Sequence, residues 1–432
     1  MPFELLAQPP RRIAVIGGGI SGMAAAHLLS RGNGVVLFEA AQRLGGHART
    51  VIAGKHGDQP VDTGFIVFNR PTYPHLSALF DRLGVPVTDS DMSFGVSVGG
   101  GRIEYGLRNL SSLLCQKRNA LRPGFARMIR DILRFNAGAG SAADANPGAT
   151  IGDLLGILGT GAWFRDYYIT PLSGAIWSTP TRGILDFPAQ AMVRFLKNHG
   201  LMSHSGQHQW LTVRGGSAEY VHRLETAMRG AGVDIRTGLP VASVRRIGAG
   251  VEVRARGGTP ELFDAVVLAA HSDQTLRMLA DASPAERAAL SAIRCQPNEA
   301  VLHADARLMP RRRAAWASWV YTEDRGACPD RISVSYWMNS LQPIPHDDPM
   351  FVTLNPVRPI REELVYDSVT FHHPLFDTAA LAAQAALRAM NGARNTWFCG
   401  AWMRNGFHED GFASAVDVVT AMEDREVRSA AA

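Results

Sequence analysis

The sequence predicts an α/β protein in which one parallel sheet is assembled from distant parts of the chain. Three stretches carry that reading: 12 to 39, 233 to 270, and 396 to 423. In the first, the apolar run RIAVIG (12–17) ends in glycines, residues 20–31 are helical in pattern, and GVVLFE (34–39) is a second buried strand. A β-α-β unit follows. In the second, a helical stretch at 217–230 leads into three strand-like runs that include VEVRARG and FDAVVLAA. In the third, TWFCGA (396–401) is a strand before a helix placed to start near Gly411. Elements spread over the start, middle and end of the chain imply a discontinuous domain, expected over 11–90, 210–295 and 390–428. Residues 91–209 and 296–389 are then expected to form a second, α+β domain that holds substrate.

Bulk properties narrow the class. The 432 residues are 46% hydrophobic, enough for large cores, and the net charge is +5. No apolar run approaches the roughly 18 residues of a spanning helix, so a cytoplasmic protein is expected. Cys115, Cys295, Cys328 and Cys399 lie far apart and give neither a metal spacing nor a disulfide framework. His204 and His208 are four apart, yet no cysteine or carboxylate pair completes a zinc set, so no metal is expected. The modest, dispersed positive charge does not point to nucleic acid. The chain has no GxSxG elbow, which disfavours acyl transfer.

The chemistry-bearing motif is at the amino end. Gly17, Gly19 and Gly22 occupy GxGxxG positions between strand and helix, and Glu39 closes the next strand 20 residues after Gly19. Such glycines permit the tight turn, the approach of a pyrophosphate and close helix packing, while the first helical amides, at Ile20 and Ser21, offer positive charge to the diphosphate. Glu39, followed by Ala40, is placed to accept from ribose hydroxyls, which argues against a 2′-phosphate. The fold class expected is therefore a Rossmann-type dinucleotide-binding domain.

After Glu39 the chain reads AAQRLGGHART, with Arg43 ahead of the pair Gly45 and Gly46. Here the sequence resembles the glycine-doublet flavoproteins, which include amine oxidases, protoporphyrinogen oxidase and carotenoid desaturases. The resemblance implies FAD as cofactor. It implies that the doublet loop passes close to FAD, that Arg43 contacts its ribose or diphosphate, and that Asp62, Thr63 and Gly64 of VDTGF support the flavin ring. It also implies backbone contact of Val241 with adenine, approach of Gly400 to ribitol, and amides of Gly411, Phe412 and Ala413 aimed at the flavin. Gly215, Gly216 and Ser217 match a further family motif that leads into a helix.

Flavin amine oxidases commonly place a lysine near the flavin, on a strand of the substrate domain. This chain has no lysine after Lys197. Several stretches, among them VDTGFIVFNRPTYPHLSALFDRLGV, PLSGAIWSTP, AAHSDQTLRML and GFHEDG, resemble a bacterial subgroup associated with cyclopropane and methyl-branched fatty acid synthesis. That resemblance implies desaturation of a methyl-branched acyl chain on phospholipid, by hydride transfer to the flavin. Two other readings stay open: an oxidase of a small amine, and a flavin-containing partner of a fatty acyl methyltransferase. Candidate catalytic residues are His408 and Glu409, just before the flavin-facing helix, and Trp177 as a cavity wall. Residues 107–135 carry seven basic side chains against Asp131 alone. From Pro123, the residues Phe125, Met128, Ile129, Ile132 and Leu133 fall on one helical face, as in a basic amphipathic helix lying on an anionic membrane.

Overall fold

The computed structural model describes residues 10–202, 208–248, 250–324 and 331–431. His204 and Cys328 lie outside the described residues. Its first sheet is five-stranded and wholly parallel: β1 (Arg12–Ile16), β2 (Gly34–Phe38), β3 (Asp234–Arg236), β4 (Ala265–Leu268) and β5 (Thr396–Phe398), in the order β3-β2-β1-β4-β5. Burial on both faces explains the near-continuous apolar runs. The register aligns Ile16 with Phe38 and Leu268, and Leu268 with Phe398, so the loops leaving these strands emerge side by side. In open parallel sheets the crevice outside those carboxyl ends is where ligands bind.

Five helices matter below: α1 (Ile20–Leu29), α2 (Pro74–Leu83), α3 (Pro123–Ala145), α4 (Ala218–Gly230) and α5 (His408–Ala431). Helix α1 is buried nearly all round, and α5 packs along it through Phe412, Ala415, Val418 and Met422. Tyr220, Leu224 and Met228 of α4 close the same core.

The middle of the chain holds more strands than its pattern shows. Residues 241–263 form a three-stranded antiparallel meander, Val241–Ile247, Gly250–Ala255 and Pro260–Phe263, and FDAVVLAA is divided between the end of this meander and β4. A buried apolar run does not reveal where one sheet yields to another.

A second, seven-stranded mixed sheet draws its strands from 94–106 and 295–374. Its two longest, Cys295–His303 and Val365–Pro374, pair antiparallel so that Asn298 lies opposite Phe371 and Pro297 opposite His372.

Helix α3 corrects an expectation. Of its expected apolar stripe, Phe125, Met128 and Ile132 are buried, together with Phe135, against Tyr105, Phe164 and the neighbouring helices, Ile129 is half-buried, and Leu133 alone is exposed (51%). That face is core and is not available to a membrane, because the cost of exposing it exceeds what a few surface charges return. Among the described residues, no helix is long and apolar enough to cross a membrane.

Candidate FAD site

Two glycine loops meet at the end of β1. The Gly17 amide donates to the Phe38 carbonyl (2.8 Å), and the Gly45 amide donates to the Gly18 carbonyl (2.8 Å), which lays the doublet loop beside the first turn. Gly19 and Gly45 form an isolated parallel bridge. Gly45 and Gly46 have φ of +105° and +56°, and a Cβ on Gly46 would stand 3.1 Å from the Gly19 Cα. Gly22 is fixed by space alone, since a Cβ there would lie 1.8 Å from the Gly17 carbonyl oxygen.

The residues fit a dinucleotide. No side chain caps α1 and no acid lies in its first turn, so the amides of Ile20, Ser21 and Gly22 are left for a ligand's oxygens. A Cβ on Gly19 would meet nothing within 4 Å. Glu39 stands at the next corner, its carboxylate accepting from the Gly18 amide (2.6 Å) and the Ala41 amide (2.7 Å), with lone pairs left for hydroxyls. Gly238 and Leu239 donate to the carbonyls of Ala41 and Glu39, which brings the strand that begins at Val241 beside this corner, next to exposed Ala40.

Arg43 stands just ahead of the doublet. Its guanidinium donates to the carbonyls of Leu44, Gly46 and Ala48 and so braces the doublet loop from within. Arg43 therefore positions the loop.

Asp62 is the structural knot of the site. It is buried, and its carboxylate accepts from Thr50 Oγ1 (2.6 Å), the Ser217 amide (2.8 Å), Ser217 Oγ (2.7 Å) and Gln342 Nε2 (3.0 Å). Burial pushes its pKa up to about 6 even so, with the donors opposing the rise. This accounts for the Gly215-Gly216-Ser217 motif: a Cβ on Gly216 would lie 2.5 Å from Thr50, and the turn delivers Ser217 to Asp62. Thr63 donates its amide to the Arg49 carbonyl, while at Gly64 a Cβ would lie 2.0 Å from the His47 carbonyl oxygen.

The carboxy-terminal helix departs from expectation in three respects. Helix α5 begins at His408, three residues before Gly411, because Phe407 caps it: the Phe407 amide donates to Asp410 Oδ2 (2.9 Å). The Gly411 amide is already spent on the Phe407 carbonyl, and Phe412 and Ala413 lie inside the helix. The free amides of the first turn thus belong to residues 408 to 410. Gly411 serves packing instead, since a Cβ there would lie 2.8 Å from Ser21 Oγ. Gly400 likewise makes room for the Trp402 indole, 2.3 Å from a Cβ at that position, and its amide donates to Ser414 Oγ (2.9 Å).

Glu409 is not a base poised for substrate. Both of its oxygens accept from the His75 and Leu76 amides (2.9 and 3.0 Å), capping the first turn of α2. Glu409→Ala is expected to lower stability by about 1–2 kcal/mol, read as a lower Tm, with the flavin spectrum of the folded protein unchanged. His408 is held in the same way. Its Nε2 meets Tyr220 Oη (2.8 Å), its ring stacks on Phe65 at 3.9 Å, and burial lowers its pKa to about 3. It is a neutral wall rather than a proton carrier. Trp177 is buried among Phe187, Phe195 and Phe407, with its Nε1 unpartnered among the described residues.

Sequence reading missed a group of histidines. His47, which follows the doublet, stacks on Phe371 (4.9 Å) and lies 5.6 Å from both His271 and His373. His373 Nδ1 meets Asn298 Nδ2 (3.1 Å), and burial lowers its pKa to about 4. Burial also lowers His47 and His271, so these rings are neutral near pH 7. The only sequence signals were GGH and FHH, which mean nothing until the loop and the strand meet. Folding also brings ligand atoms of His271, Asp273 and Cys295 within 4.8 Å of one another. Asp273 is paired with Arg277 (2.8 Å) and the His271 ring caps the Ser272–Met278 helix, which accounts for two of the three.

This architecture defines a dinucleotide-binding oxidoreductase fold. Solved structures share it across nearly the whole chain. A CLA-producing fatty acid isomerase from P. acnes is 17% identical with a TM-score of 0.66, covering 95% of this chain and 98% of that one. Cyclohexylamine oxidase from Brevibacterium oxydans IH-35A is 16% identical with a TM-score of 0.65, covering 96% and 100%. At such identity the likeness speaks for the fold alone. Curated relatives match over short stretches: coproporphyrinogen III oxidase of Mycobacterium tuberculosis (strain H37Rv) is 45% identical over 76 residues, 16% of each chain. Protoporphyrinogen oxidase 2 of Arabidopsis thaliana is 40% identical over 84 residues, 19% of this chain and 16% of that one. The matched stretches thus span about a sixth of the length of these relatives. The family model described as flavin containing amine oxidoreductase matches residues 20–304, and the chain belongs to that family. Its cofactor is FAD.

Proposed function

We propose that this FAD-dependent oxidoreductase desaturates a methyl-branched fatty acyl chain carried on phospholipid. The observation that carries the proposal is the uncharged, aromatic character of the wall around the flavin end of the site. Phe65, whose amide donates to the His47 carbonyl, stacks on His408, and Phe407 continues the wall to Phe195 (4.7 Å) and Trp177. The histidines bordering this wall are neutral, and the chain has no lysine after Lys197. An ammonium substrate gains little from such surroundings, whereas an acyl chain asks only for an apolar slot.

FAD, when bound, supplies the two-electron acceptor that removal of two hydrogens requires. The protein's part is to exclude water, align the chain against the aromatic wall and take up the second hydrogen as a proton. The likeness of fold to a fatty acid isomerase supports an acyl substrate, while the family's amine oxidases support the competing reading of a small amine.

Anaerobic mixing of holoprotein with methyl-branched, monounsaturated phospholipid is expected to bleach the flavin absorbance and give a diene two mass units lighter (about 2 Da, one hydrogen pair). Bleaching by simple amines alone would replace this reading with the amine oxidase. Lipid altered only when a methyltransferase is present would make the chain a partner protein.

A further inference from the structure

Residues 107–122 fold with their polarity inverted. Ser112, Gln116 and Asn119 point inward and are buried, while Leu107, Leu110, Leu114 and Leu121 are 37%, 70%, 36% and 86% exposed. The inner side chains pin the segment. Ser112 Oγ donates to the Gly106 carbonyl, Gln116 Nε2 to the Gly101 carbonyl, and Asn119 Nδ2 to the Glu104 carbonyl (3.2, 3.2 and 3.0 Å). Asn109 and Ser112 close a capping box that fixes the short helix carrying Leu110. The leucines are therefore held in water by their own backbone's anchors, opposite to what the hydrophobic effect favours for a solvated loop.

The charge that this segment itself carries has one sign, with Arg108 paired to Asp91 (3.8 Å). Residues 107–122 include Arg108, Lys117, Arg118 and Arg122 and no acid. Arg118 donates to the carbonyls of Gly101 and Arg102, and a Cβ on Gly101 would stand 3.3 Å from the Arg311 side chain. Gly101, which accepts from Gln116 and Arg118, thus lies between the segment and an open cleft of about 400 Å³ lined by Arg307, Arg311, Arg313, Arg358 and Trp316. Asp305 and Asp324 neutralise Arg307 and Arg358, and Arg313 stacks on Trp316 at 4.0 Å. The edge thus presents leucines, a tryptophan and excess positive charge together.

We infer that this edge docks on an anionic phospholipid bilayer, with the leucines among the acyl chains and the basic groups at the headgroup phosphates. The bilayer is the occupant that complements both features at once: a free anion leaves the leucines wet, and an acidic peptide leaves them without an apolar counterpart. Docking there would bring a phospholipid-linked substrate to the enzyme. It gives purpose to the lipid reading above, yet it is tested by binding without turnover, so the two fail separately.

The experiment is co-sedimentation of the holoprotein with vesicles of phosphatidylcholine alone or mixed with phosphatidylglycerol. Binding is expected to the mixed vesicles, to weaken as salt is raised, and to fall about tenfold or more in Leu110→Ser/Leu121→Ser. Lys117→Glu is expected to weaken it to a smaller degree. The Tm of these variants should match that of the wild type, because the substituted side chains are exposed. Equal binding to both vesicle types, unchanged binding by the double variant, or no binding at all would overturn the inference.

Discussion

Gly22→Ala is expected to yield colourless, destabilised protein. The added carbon would stand 1.8 Å from the Gly17 carbonyl oxygen, a backbone atom held between β1 and the loop after β4. Relief requires α1 to move off the sheet, and overpacking of this kind costs about 1–3 kcal/mol or more. Moving α1 also withdraws the amides of Ile20 and Ser21 from the diphosphate, so stability and FAD content fall together. Gly19→Ala separates the two effects. Its Cβ enters open space and its φ of −75° suits alanine, so the Tm of the FAD-free protein should stay near that of the wild type. FAD affinity should nevertheless drop by about tenfold or more, a loss of about 1.4 kcal/mol or more, because the open space is where the diphosphate approaches. Titration of stripped protein with FAD measures this. Wild-type affinity in Gly19→Ala would remove the glycine turn from the site.

Asp62 carries the second large effect. Its folded pKa of about 6 stands above the ordinary 3.8, so the folded state holds a proton that the unfolded state releases between those values. Stability from this group is therefore full below about pH 4, declines as the pH rises through 6, and is flat above. Two units correspond to about 3 kcal/mol at most. Asp62→Asn removes the titration but turns an amide N–H₂ toward Ser217 or Gln342, both of which donate to Asp62. A buried clash of donors costs about 1–3 kcal/mol. The variant should unfold at lower temperature near neutral pH. The stability gap between wild type and variant should widen as the pH is lowered from 7 to 4. A gap constant across that range would show that Asp62 titrates normally and is not buried as described.

Both predictions concern residues whose importance was partly visible in one dimension. The turn Gly17-Gly19-Gly22, the acid Glu39 and the doublet Gly45-Gly46 are contiguous, and their roles follow from φ, from Cβ clearance and from the free amides of one helix. Such constraints act over a few residues, so a short window of sequence contains them. The parallel sheet was legible for a related reason, because strands buried on both faces are apolar throughout. The start of α5 was misplaced because its cap is Phe407, reached by Asp410, and not the glycine that the pattern favoured.

What sequence by itself determined is the β-α-β unit, the cofactor class and the distribution of the sheet over three segments. Tertiary structure decided the employment of individual side chains. Glu409 caps a helix more than 300 residues earlier, Arg43 braces its own loop, and His47 meets His271 and His373. Residues 107–122 turn leucines outward and α3 turns its apolar stripe inward, though both carry the same basic, amphipathic composition. Local propensity reports which conformation a segment prefers; which of its faces meets water depends on what the rest of the chain packs against it.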